Sequence, residues 1–401
     1  MKILHTADWH LGKRLDHFSR LSEQKLVMEE IVQIADKEQV DLIIIAGDLY
    51  DTINPSTEAV ELFYKTIKRL TNNGKRPVIA IAGNHDSPSL IDAPDPLARE
   101  CGIFLIGYPN AKLIPIQNEY FSITKTDEGF VEFQLNHLDF PVRILHTPYA
   151  NEIRLKKYLG ENKEESLNEI LKEHWQTLAD QYCDSRGVNL LTAHLYMNKR
   201  GSELLEEPEG EKPIKIGNAD MIYSEAIPST IQYTALGHLH RYHNIGTEAQ
   251  PIVYSSSPLC YSFSEAGQKK YVCIIEAEPQ KQVNFQKVEL KNGKPLHRKT
   301  FSAVTDAVEW LQDHQNALVE LTLESDTFLK AEERKLLFQS HSGIIHLIPK
   351  MKLNKTDETD IQKVNLNQDL PNLFRDYFKS KNDGQEPNDD LMKLLSEIIN
   401  Q

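Results

Sequence analysis

Short apolar runs alternate with longer amphipathic segments along the first hundred residues of the chain. The runs "KILHTA", "DLIIIAGD" and "PVIAIAGN" are separated by two segments with helical spacing, residues 20–37 and 55–71. Runs such as "LIIIA" are apolar at every position, which is typical of a strand buried on both faces. The alternation predicts βαβ units, in which a parallel sheet is covered by helices.

The apolar pattern changes beyond this first part. Residues 103–146 contain shorter β-like pieces, and residues 151–182 form a charged segment of helical character. An apolar strand "NLLTAHL" follows, and residues 199–217 are acidic and aperiodic, which predicts an exposed loop. Strands resume with "IQYTALG", "PIVYSS", "KKYVCIIEA" and "QVNFQKVEL". The α/β character therefore extends to about residue 290.

A polar stretch at residues 291–299 marks a change in composition. A smaller βαβαβ-like unit follows, with "FSAVTDAVEWLQDH" and "KAEERKLLFQSH" as its helices. The polar tail holds two amphipathic pieces, "PNLFRDYF" and "DDLMKLLSEII", which either pack on their own domain or dock on a partner. We therefore predict three parts, which are a main domain of residues 1–290, a smaller domain of residues 291–353 and a helical tail of residues 354–401.

The composition is that of an ordinary globular protein. Of the 401 residues, 40% are hydrophobic and 26% are charged, and no window approaches the ~20 apolar residues of a membrane helix. The four cysteines are widely spaced and form no CxxC pair, which argues against a thiolate zinc site and against a secreted disulfide framework. The first residues lack a signal-peptide pattern, so we expect a reduced, cytoplasmic setting and no membrane partner.

The net charge of −14 is unfavourable for holding nucleic acid through the global field, because phosphate contacts normally come from Lys and Arg. Metal ions in an acidic pocket supply local positive charge, and a basic partner subunit could supply more. The acidic composition alone therefore does not exclude a nucleic-acid substrate.

Polar motifs with metal-ligating side chains follow successive strands. "DWH", "GDLYD" and "GNHD" come after the first three apolar runs, with 38 residues from His10 to Asp48 and 36 from Asp48 to Asn84. Such intervals suit a strand, a crossover helix and the next strand, and "AHLY" and "GHLH" end later strands. Because the carboxyl ends of parallel strands share one edge, these side chains should converge there. The candidates are Asp8, His10, Asp48, Asn84, His85, His194, His238 and His240.

The chemistry of these side chains points to metal ions. Apart from His85, the motifs offer two aspartates, one asparagine and four histidines. Oxygen and imidazole ligands without cysteine suit Mn²⁺, Fe²⁺ or Zn²⁺. Seven ligands are too many for one ion with open positions, but they suit two ions that share a bridging carboxylate and clamp a phosphate for in-line attack. Each motif alone is also a common turn or loop, whereas all five in this order are unlikely by chance.

The order DxH, GDxxD, GNHD, AHL and GHxH resembles the calcineurin-like metallophosphoesterases. The longer strings "ILHTADWHLG", "IIIAGDLYD", "GNHDS" and "LGHLHR" resemble the SbcD-type nuclease branch of that family, over residues 1 to about 275. The resemblance implies an α/β fold in which a two-sheet sandwich is flanked by helices. It also implies a smaller C-terminal α+β cap domain, which fits residues 291–353, and a helical tail.

The resemblance also implies roles for the motif residues. His85 would be a catalytic residue that is not a ligand and that stabilises or protonates the leaving oxygen. Asp86 would orient His85, unless it caps the next helix, and Gly237 would let the chain turn after its strand. The first metal ion would be bound by Asp8, His10 and His240, the second by Asn84, His194 and His238, and Asp48 would bridge the two ions.

Some residues depart from the family pattern or lie outside it. Ser256 stands where family members often have glycine, so the close backbone approach of that glycine is in doubt here. Asp51 follows the bacterial form of its motif, and its role stays open. His17 could meet DNA, whereas His5, His146 and His243 are expected to be structural. The basic pairs Lys13-Arg14, Lys199-Arg200 and Lys269-Lys270 either line a DNA path or are solvated surface.

The leading hypothesis is a metal-dependent DNA nuclease that acts in DNA end processing, repair and recombination. The resemblance implies 3′ to 5′ exonuclease action on duplex ends and endonuclease action on single strands or hairpins, with two divalent ions, Mn²⁺ being expected. The chain has no G-x-x-x-x-G-K-[ST] loop, so ATP dependence would come from an SbcC-like ATPase partner. A homodimer within a heterotetramer, formed through residues 55–70 and 88–100, is also implied.

Two other functions are compatible with parts of the pattern. A small-substrate phosphatase or phosphodiesterase could use the same fold, because fold and metal site do not fix the substrate. The protein-phosphatase type, however, usually continues the second motif as Asp-Arg-Gly, whereas Thr52 and Ile53 follow Asp51 here. A scaffold with a vestigial metal site is disfavoured because all eight site residues are present.

Overall fold

A computed structural model describes most of the chain and divides it into two compact units. The first unit comprises Met1–Leu323 with Leu329–Pro349, and the second comprises Glu324–Phe328 with Lys350–Gln401. No described helix is long and apolar enough to cross a membrane. The described residues are 1–156, 158, 163–207, 221–325, 329–351, 370–381, 386–387, 391–392 and 395.

The strands form two large sheets and three small ones. In chain order they are β1 (Lys2–Thr6), β2 (Arg14–Leu15), β3 (Phe18–Ser19), β4 (Leu42–Ala46), β5 (Val78–Ile81), β6 (Ile103–Ile106), β7 (Phe121–Asp127), β8 (Phe130–Leu135), β9 (Val142–Thr147), β10 (Val188–His194), β11 (Met197–Asn198), β12 (Ile222–Tyr223), β13 (Tyr233–Gly237), β14 (His243–Asn244), β15 (Ile252–Tyr254), β16 (Lys270–Glu276), β17 (Asn284–Leu290), β18 (Leu296–Phe301), β19 (Leu318–Ser325) and β20 (Ile344–Met351).

The helices lie between the strands, as the βαβ pattern predicts, and short 3₁₀ turns occur at Arg99–Cys101, Ser224–Ala226 and Phe263–Glu265. The α-helices are α1 (Leu21–Lys37), α2 (Thr57–Leu70), α3 (Pro88–Asp92), α4 (Asp95–Ala98), α5 (Glu152–Leu155), α6 (Lys163–Tyr182), α7 (Val304–Asp313), α8 (Ala331–Ser340) and α9 (Leu370–Lys381). Helix α9 covers "PNLFRDYF" and belongs to the second unit. The second amphipathic piece, "DDLMKLLSEII", lies largely outside the described residues.

Both large sheets have a run of parallel strands, and antiparallel strands flank this run on one edge of the first sheet and on both edges of the second. The first sheet has the order β17-β16-β1-β4-β5-β6, in which β1, β4, β5 and β6 are parallel. The second has the order β14-β15-β13-β10-β9-β8-β7, in which β15, β13, β10 and β9 are parallel. The carboxyl ends of β1, β4 and β5 therefore lie at one edge of the first sheet, and those of β10 and β13 at one edge of the second.

The two sheets pack face to face, and helices cover their outer faces. Along β4, Leu42 and Ile44 belong to the core between the sheets, whereas Ile43 and Ile45 pack with α1 and α2. A strand with both faces buried needs apolar residues at successive positions, which explains the run "LIIIA". Helix α6 covers the other sheet, where Trp175 is fully buried. The predicted α/β sandwich flanked by helices is confirmed.

Strands β18, β19 and β20 form a three-stranded sheet that packs with α7 and α8 around its own apolar cluster. This sheet also contacts the preceding part of the first unit, since Leu318 and Ile345 are buried in a cluster with Leu15 and Phe263. The predicted boundary at residue 290 stays a prediction.

Gly237 ends β13 and lies against the other sheet. The sequence predicts that this glycine lets the chain turn, but Gly237 itself does not have a positive φ, and it is His238 that adopts φ 111°. A Cβ atom on residue 237 would lie 1.8 Å from the carbonyl oxygen of Ala46 and 2.9 Å from Nδ1 of His194. Gly237 is therefore required for the close approach of the two sheets at the carboxyl ends of their strands.

We expect Gly237→Ala to lower the free energy of unfolding by about 2 kcal/mol or more, because the backbone carbonyl of Ala46 cannot move aside for the methyl group. Gly201→Ala is the control, because its positive φ costs about 1 kcal/mol while no described atom lies within 4 Å of the new Cβ. Urea denaturation of both variants measures the difference, and equal losses would contradict the packing argument.

Candidate metal centre

All eight predicted site residues lie at the carboxyl ends of β1, β4, β5, β10 and β13. The loop after β1 is bonded to the loop after β4, because the N–H of Asp8 donates to the carbonyl of Gly47 at 3.0 Å and the N–H of His10 to that of Asp48 at 2.9 Å. Asp8, His10 and Asp48 all have positive φ, between 43° and 55°. The two loops therefore present their side chains from fixed, strained backbones.

Asp48 is the central residue of the cluster. Its Oδ2 lies 3.5 Å from Nε2 of His10 and 3.3 Å from Nε2 of His194, which comes from the second sheet. Its Oδ1 accepts a hydrogen bond of 2.9 Å from the N–H of His85. The carboxylate thus lies between ligand candidates of both predicted metal sites, where a bridging group has to lie.

One side of Asp48 contains His10 and His240, and Asp8, which is predicted to bind the same ion, also lies near the second set, with its Oδ1 3.7 Å from Nδ1 of His194. The Nε2 atoms of His10 and His240 face each other at 2.9 Å, and both rings are buried. Oδ1 of Asp8 accepts the N–H of His238 at 2.8 Å, while Oδ2 is buried and has no hydrogen-bond partner among the described residues. Two facing imidazole nitrogens and, in the same buried cluster, an unpartnered carboxylate oxygen are donors that suit a divalent cation.

The other side contains Asn84, His194 and His238. Nδ1 of His194 donates to the carbonyl of Ala46 at 2.9 Å, which leaves Nε2 as its acceptor nitrogen, 2.9 Å from Oδ1 of Asn84. The ring of His238 lies 5.7 Å from that of His194. Nε2 of His238, however, is hydrogen-bonded at 2.6 Å to Oε1 of Glu207. These oxygen and nitrogen donors fit a second cation. The Glu207 carboxylate, from the segment after β11, lies beside them.

His85 and Asp86 do not interact as the sequence predicts. Nδ1 of His85 is bonded to the backbone carbonyl of Asp51 at 2.8 Å. The buried carboxylate of Asp86 instead accepts the N–H groups of Leu49, Tyr50 and Gly83 at 2.8 to 3.0 Å. Asp86 therefore holds the second and third motif loops together, and the carbonyl of Asp51 orients the imidazole. Asp86 does not cap α3, whose N-cap residue is Ser87.

The electrostatics of the cluster favour a bound cation. Burial raises the pKa of Asp8 to about 7, although nearby His194 and His240 oppose the shift. Burial also acts to raise the pKa of Asp48, but His194 and His10 outweigh it and hold that pKa well below its ordinary value. Two buried carboxylates in one cluster repel each other unless positive charge lies between them.

Two pairs of acidic and basic groups beside the centre were not predicted. Glu265 Oε1 lies 3.2 Å from Nδ1 of His240 and its other oxygen pairs with Lys270. Burial acts to raise the pKa of Glu265, but Lys270 and His240 lower it to about 2. Lys270 is buried, so the prediction that it belongs to a basic surface cluster is wrong. Lys270 and Val272 are two residues apart in β16 and therefore lie on the same face of the strand. The apolar Val272 could thus have indicated that Lys270 is buried. Lys13 likewise pairs with the Asp51 carboxylate at 2.9 Å.

The remaining histidines and Ser256 have local roles. Burial lowers the pKa of both His5 and His146 to about 3. His17 is exposed and pairs with Asp16. Ser256 adopts φ 87°, a conformation that suits glycine, and its Oγ accepts the N–H of Tyr271 at 2.9 Å. The side chain therefore makes a hydrogen bond that a glycine could not make.

We expect Mn²⁺ binding to weaken as the pH falls below about 7, because Asp8 with its raised pKa must lose its proton to become a ligand. Between about pH 6 and 7, binding should release a proton from the wild type. Calorimetric titration in two buffers of different ionisation enthalpy measures the protons released. Asp8→Asn is the control, and an unchanged number of released protons in this variant would contradict the assignment.

Comparison with known proteins identifies the family. Residues 1–242 match the family described as calcineurin-like phosphoesterase. The SbcD subunit of the nuclease SbcCD from Bacillus subtilis (strain 168) is 35% identical over 408 aligned positions, which cover 99% of this chain and 97% of that protein. The SbcD subunit of the same nuclease from Staphylococcus epidermidis is 31% identical over 296 positions, which cover 73% and 70%.

The chain is also similar to a solved structure of a dimetal phosphatase from Danio rerio, with a TM-score of 0.40 and 11% identity, over 73% of this chain and 99% of that one. The family match covers more than half of the chain, and one relative matches nearly its full length. The chain therefore belongs to the calcineurin-like phosphoesterase family, in its SbcD nuclease branch.

Proposed function

We propose that this chain is the nuclease subunit of a DNA-processing complex and that it hydrolyses phosphodiester bonds with two divalent ions. The observation that carries the proposal is the position of the Asp48 carboxylate, 3.5 Å from His10 and 3.3 Å from His194. The names of the relatives supply the substrate class, since both are nuclease subunits. The reaction takes place in the cytoplasm, where Cys101, Cys183, Cys260 and Cys273 stay reduced.

The seven ligand candidates divide into two sets around Asp48. Oxygen and imidazole donors without thiolate suit Mn²⁺, Fe²⁺ or Zn²⁺, and we propose Mn²⁺, the ion expected from the resemblance to the family. When bound, the two ions would polarise the scissile phosphate and lower the pKa of the attacking water. The proposed ligands are Asp8, His10 and His240 for the first ion, Asn84, His194 and His238 for the second, and Asp48 for both.

His85 supplies the proton for the leaving oxygen. Its Nδ1 donates to the carbonyl of Asp51, so the exchangeable proton of the imidazolium is carried by Nε2. The ring lies edge-on to that of His10, with the centroids 4.9 Å apart, and would therefore lie next to a phosphate bound at the proposed first ion. A histidine held in this way is suited to general-acid catalysis at neutral pH.

An acidic chain needs positive charge from its partners to hold DNA. We propose that the main partner is an SbcC-like ATPase. Residues 354–401 would dock on it, through α9 and the amphipathic piece that follows, and residues 291–353 would act as the cap domain.

A second copy of the chain would pack against α2 and α4. This is supported by a groove of about 710 Å³ lined by Met28, Leu62 and Leu97, of which Leu97 is 75% exposed.

We expect His85→Ala to lower the rate of DNA cleavage by about 10²-fold or more, because the leaving oxygen loses its proton donor. The assay uses a 3′-labelled DNA hairpin with Mn²⁺, with and without the ATPase partner. His137→Ala is the matched control, because His137 is exposed and pairs with Asp41 away from the motifs.

The same preparations are tested on a small phosphodiester. If neither the wild type nor His85→Ala cleaved DNA while both hydrolysed the small substrate, the nuclease proposal would fail in favour of a small-substrate phosphodiesterase. Equal loss in His85→Ala and His137→Ala would contradict the assigned role of His85.

We expect deletion of residues 354–401 to abolish binding of the ATPase subunit, because the proposed docking segment is lost. Size-exclusion chromatography of the mixed subunits measures complex formation. The truncated chain should still show the thermal stabilisation by Mn²⁺ of the full chain, since every proposed ligand lies before residue 241. Undiminished complex formation would contradict the docking role.

A further inference from the structure

We propose that Glu265 is a positioning residue for His240 and that Lys270 holds Glu265 in place. The two residues lie beside the metal centre but outside both proposed ligand sets. They are among the few charged side chains in the interior, with exposures of 2% and 5%. The inference rests on the proposed function, in which His240 is a ligand of the first ion.

The contacts of Glu265 fix its carboxylate in one orientation. Oε1 lies 3.2 Å from Nδ1 of His240 and also accepts the N–H groups of Tyr261 and Ser262, each at 3.1 Å. Oε2 forms the ion pair with Nζ of Lys270. Both oxygens therefore have defined partners, and the oxygen bonded to His240 is also held by the backbone just before the 3₁₀ turn.

The hydrogen bond to Glu265 selects the tautomer of His240. A carboxylate only accepts, so Nδ1 must carry the proton, and the lone pair of the neutral ring is then on Nε2. Nε2 faces Nε2 of His10 at 2.9 Å, which is the position for a shared cation. A carboxylate on the far nitrogen also makes the imidazole a stronger ligand than a neutral acceptor does.

The histidines of the two proposed metal sites are not held alike, although His238 of the second set also bonds a carboxylate, that of Glu207, through Nε2 at 2.6 Å. Nδ1 of His194, in the second set, donates to the neutral carbonyl of Ala46, whereas Nδ1 of His240 donates to a charged carboxylate. Lys270 adds a second constraint on the first site, because its Nζ also donates to the backbone carbonyl of His240 at 2.6 Å and to Oγ of Ser257 at 3.0 Å. The pair thus holds both the side chain and the backbone of one ligand.

Paired substitutions separate positioning from stability. Removing one charge alone would leave the other buried and unpaired, which destabilises a protein strongly, whereas replacing both is often neutral. We compare the wild type with Glu265→Leu/Lys270→Met, which has no acceptor for Nδ1, and with Glu265→Gln/Lys270→Met, which keeps a neutral acceptor. Thermal unfolding without metal checks that both double variants fold.

Calorimetric titration with Mn²⁺ alone measures the affinity of the wild type and of each double variant for the two ions. We expect the Glu265→Leu/Lys270→Met variant to bind one of its two ions 10- to 100-fold more weakly and the other as the wild type does. The Glu265→Gln/Lys270→Met variant should recover part of that loss, because the glutamine oxygen can still accept from Nδ1. A general structural disturbance would weaken both ions alike.

The outcomes distinguish this proposal from the one on which it rests. A wild type that bound no Mn²⁺ would overturn the proposed function and, with it, the role of Glu265. A wild type that bound two ions, while the Glu265→Leu/Lys270→Met variant bound both equally well, would overturn the positioning role alone. An equal weakening of both ions, or failure of both double variants to fold, would assign the pair a structural role instead.

Discussion

The structure depends on the burial of one carboxylate between histidines that come from different sheets. Asp48 follows a strand of the first sheet and His194 ends a strand of the second, and 3.3 Å separates Oδ2 of the one from Nε2 of the other. Such a contact requires the two sheets to meet closely at the carboxyl ends of their strands, which the missing side chain of Gly237 permits. The packing of the sandwich and the geometry of the site thus depend on the same close approach of the two sheets.

Much of the fold and the clustering of the site could be predicted from the sequence, because both depend on local patterns. Apolar runs such as "LIIIA" identify buried parallel strands, and parallel strands bring the residues that follow them to one edge. Asp8, Asp48 and Asn84 lie together for this reason, whereas His194 reaches them from the second sheet through the packing of the sandwich. Which motif residues bind metal and which ion each would bind follow from the resemblance to the family.

The errors arose where contacts between loops, either to the backbone or to a side chain, decide the role of a residue. Asp86 accepts N–H groups of Leu49 and Tyr50, and neither its residue type nor its neighbours in sequence indicate those partners. Lys270 follows another lysine, a pattern typical of solvated surface, yet it is buried against Glu265. Glu207 reaches His238 from an acidic segment that predicts only an exposed loop. Contacts of this kind are set by the tertiary packing of loops. Loop sequences have no periodic apolar pattern from which such contacts could be predicted.

The positive φ angles of Asp8, His10, Asp48 and His238 have an evolutionary consequence. Each such conformation costs of order 1–3 kcal/mol in a residue other than glycine. Random replacement by glycine at these positions would relieve strain while it removed a side chain that the proposed metal sites require. Selection for thermal stability alone would therefore favour descendants of this chain without these side chains, and only selection that includes the proposed activity would retain them.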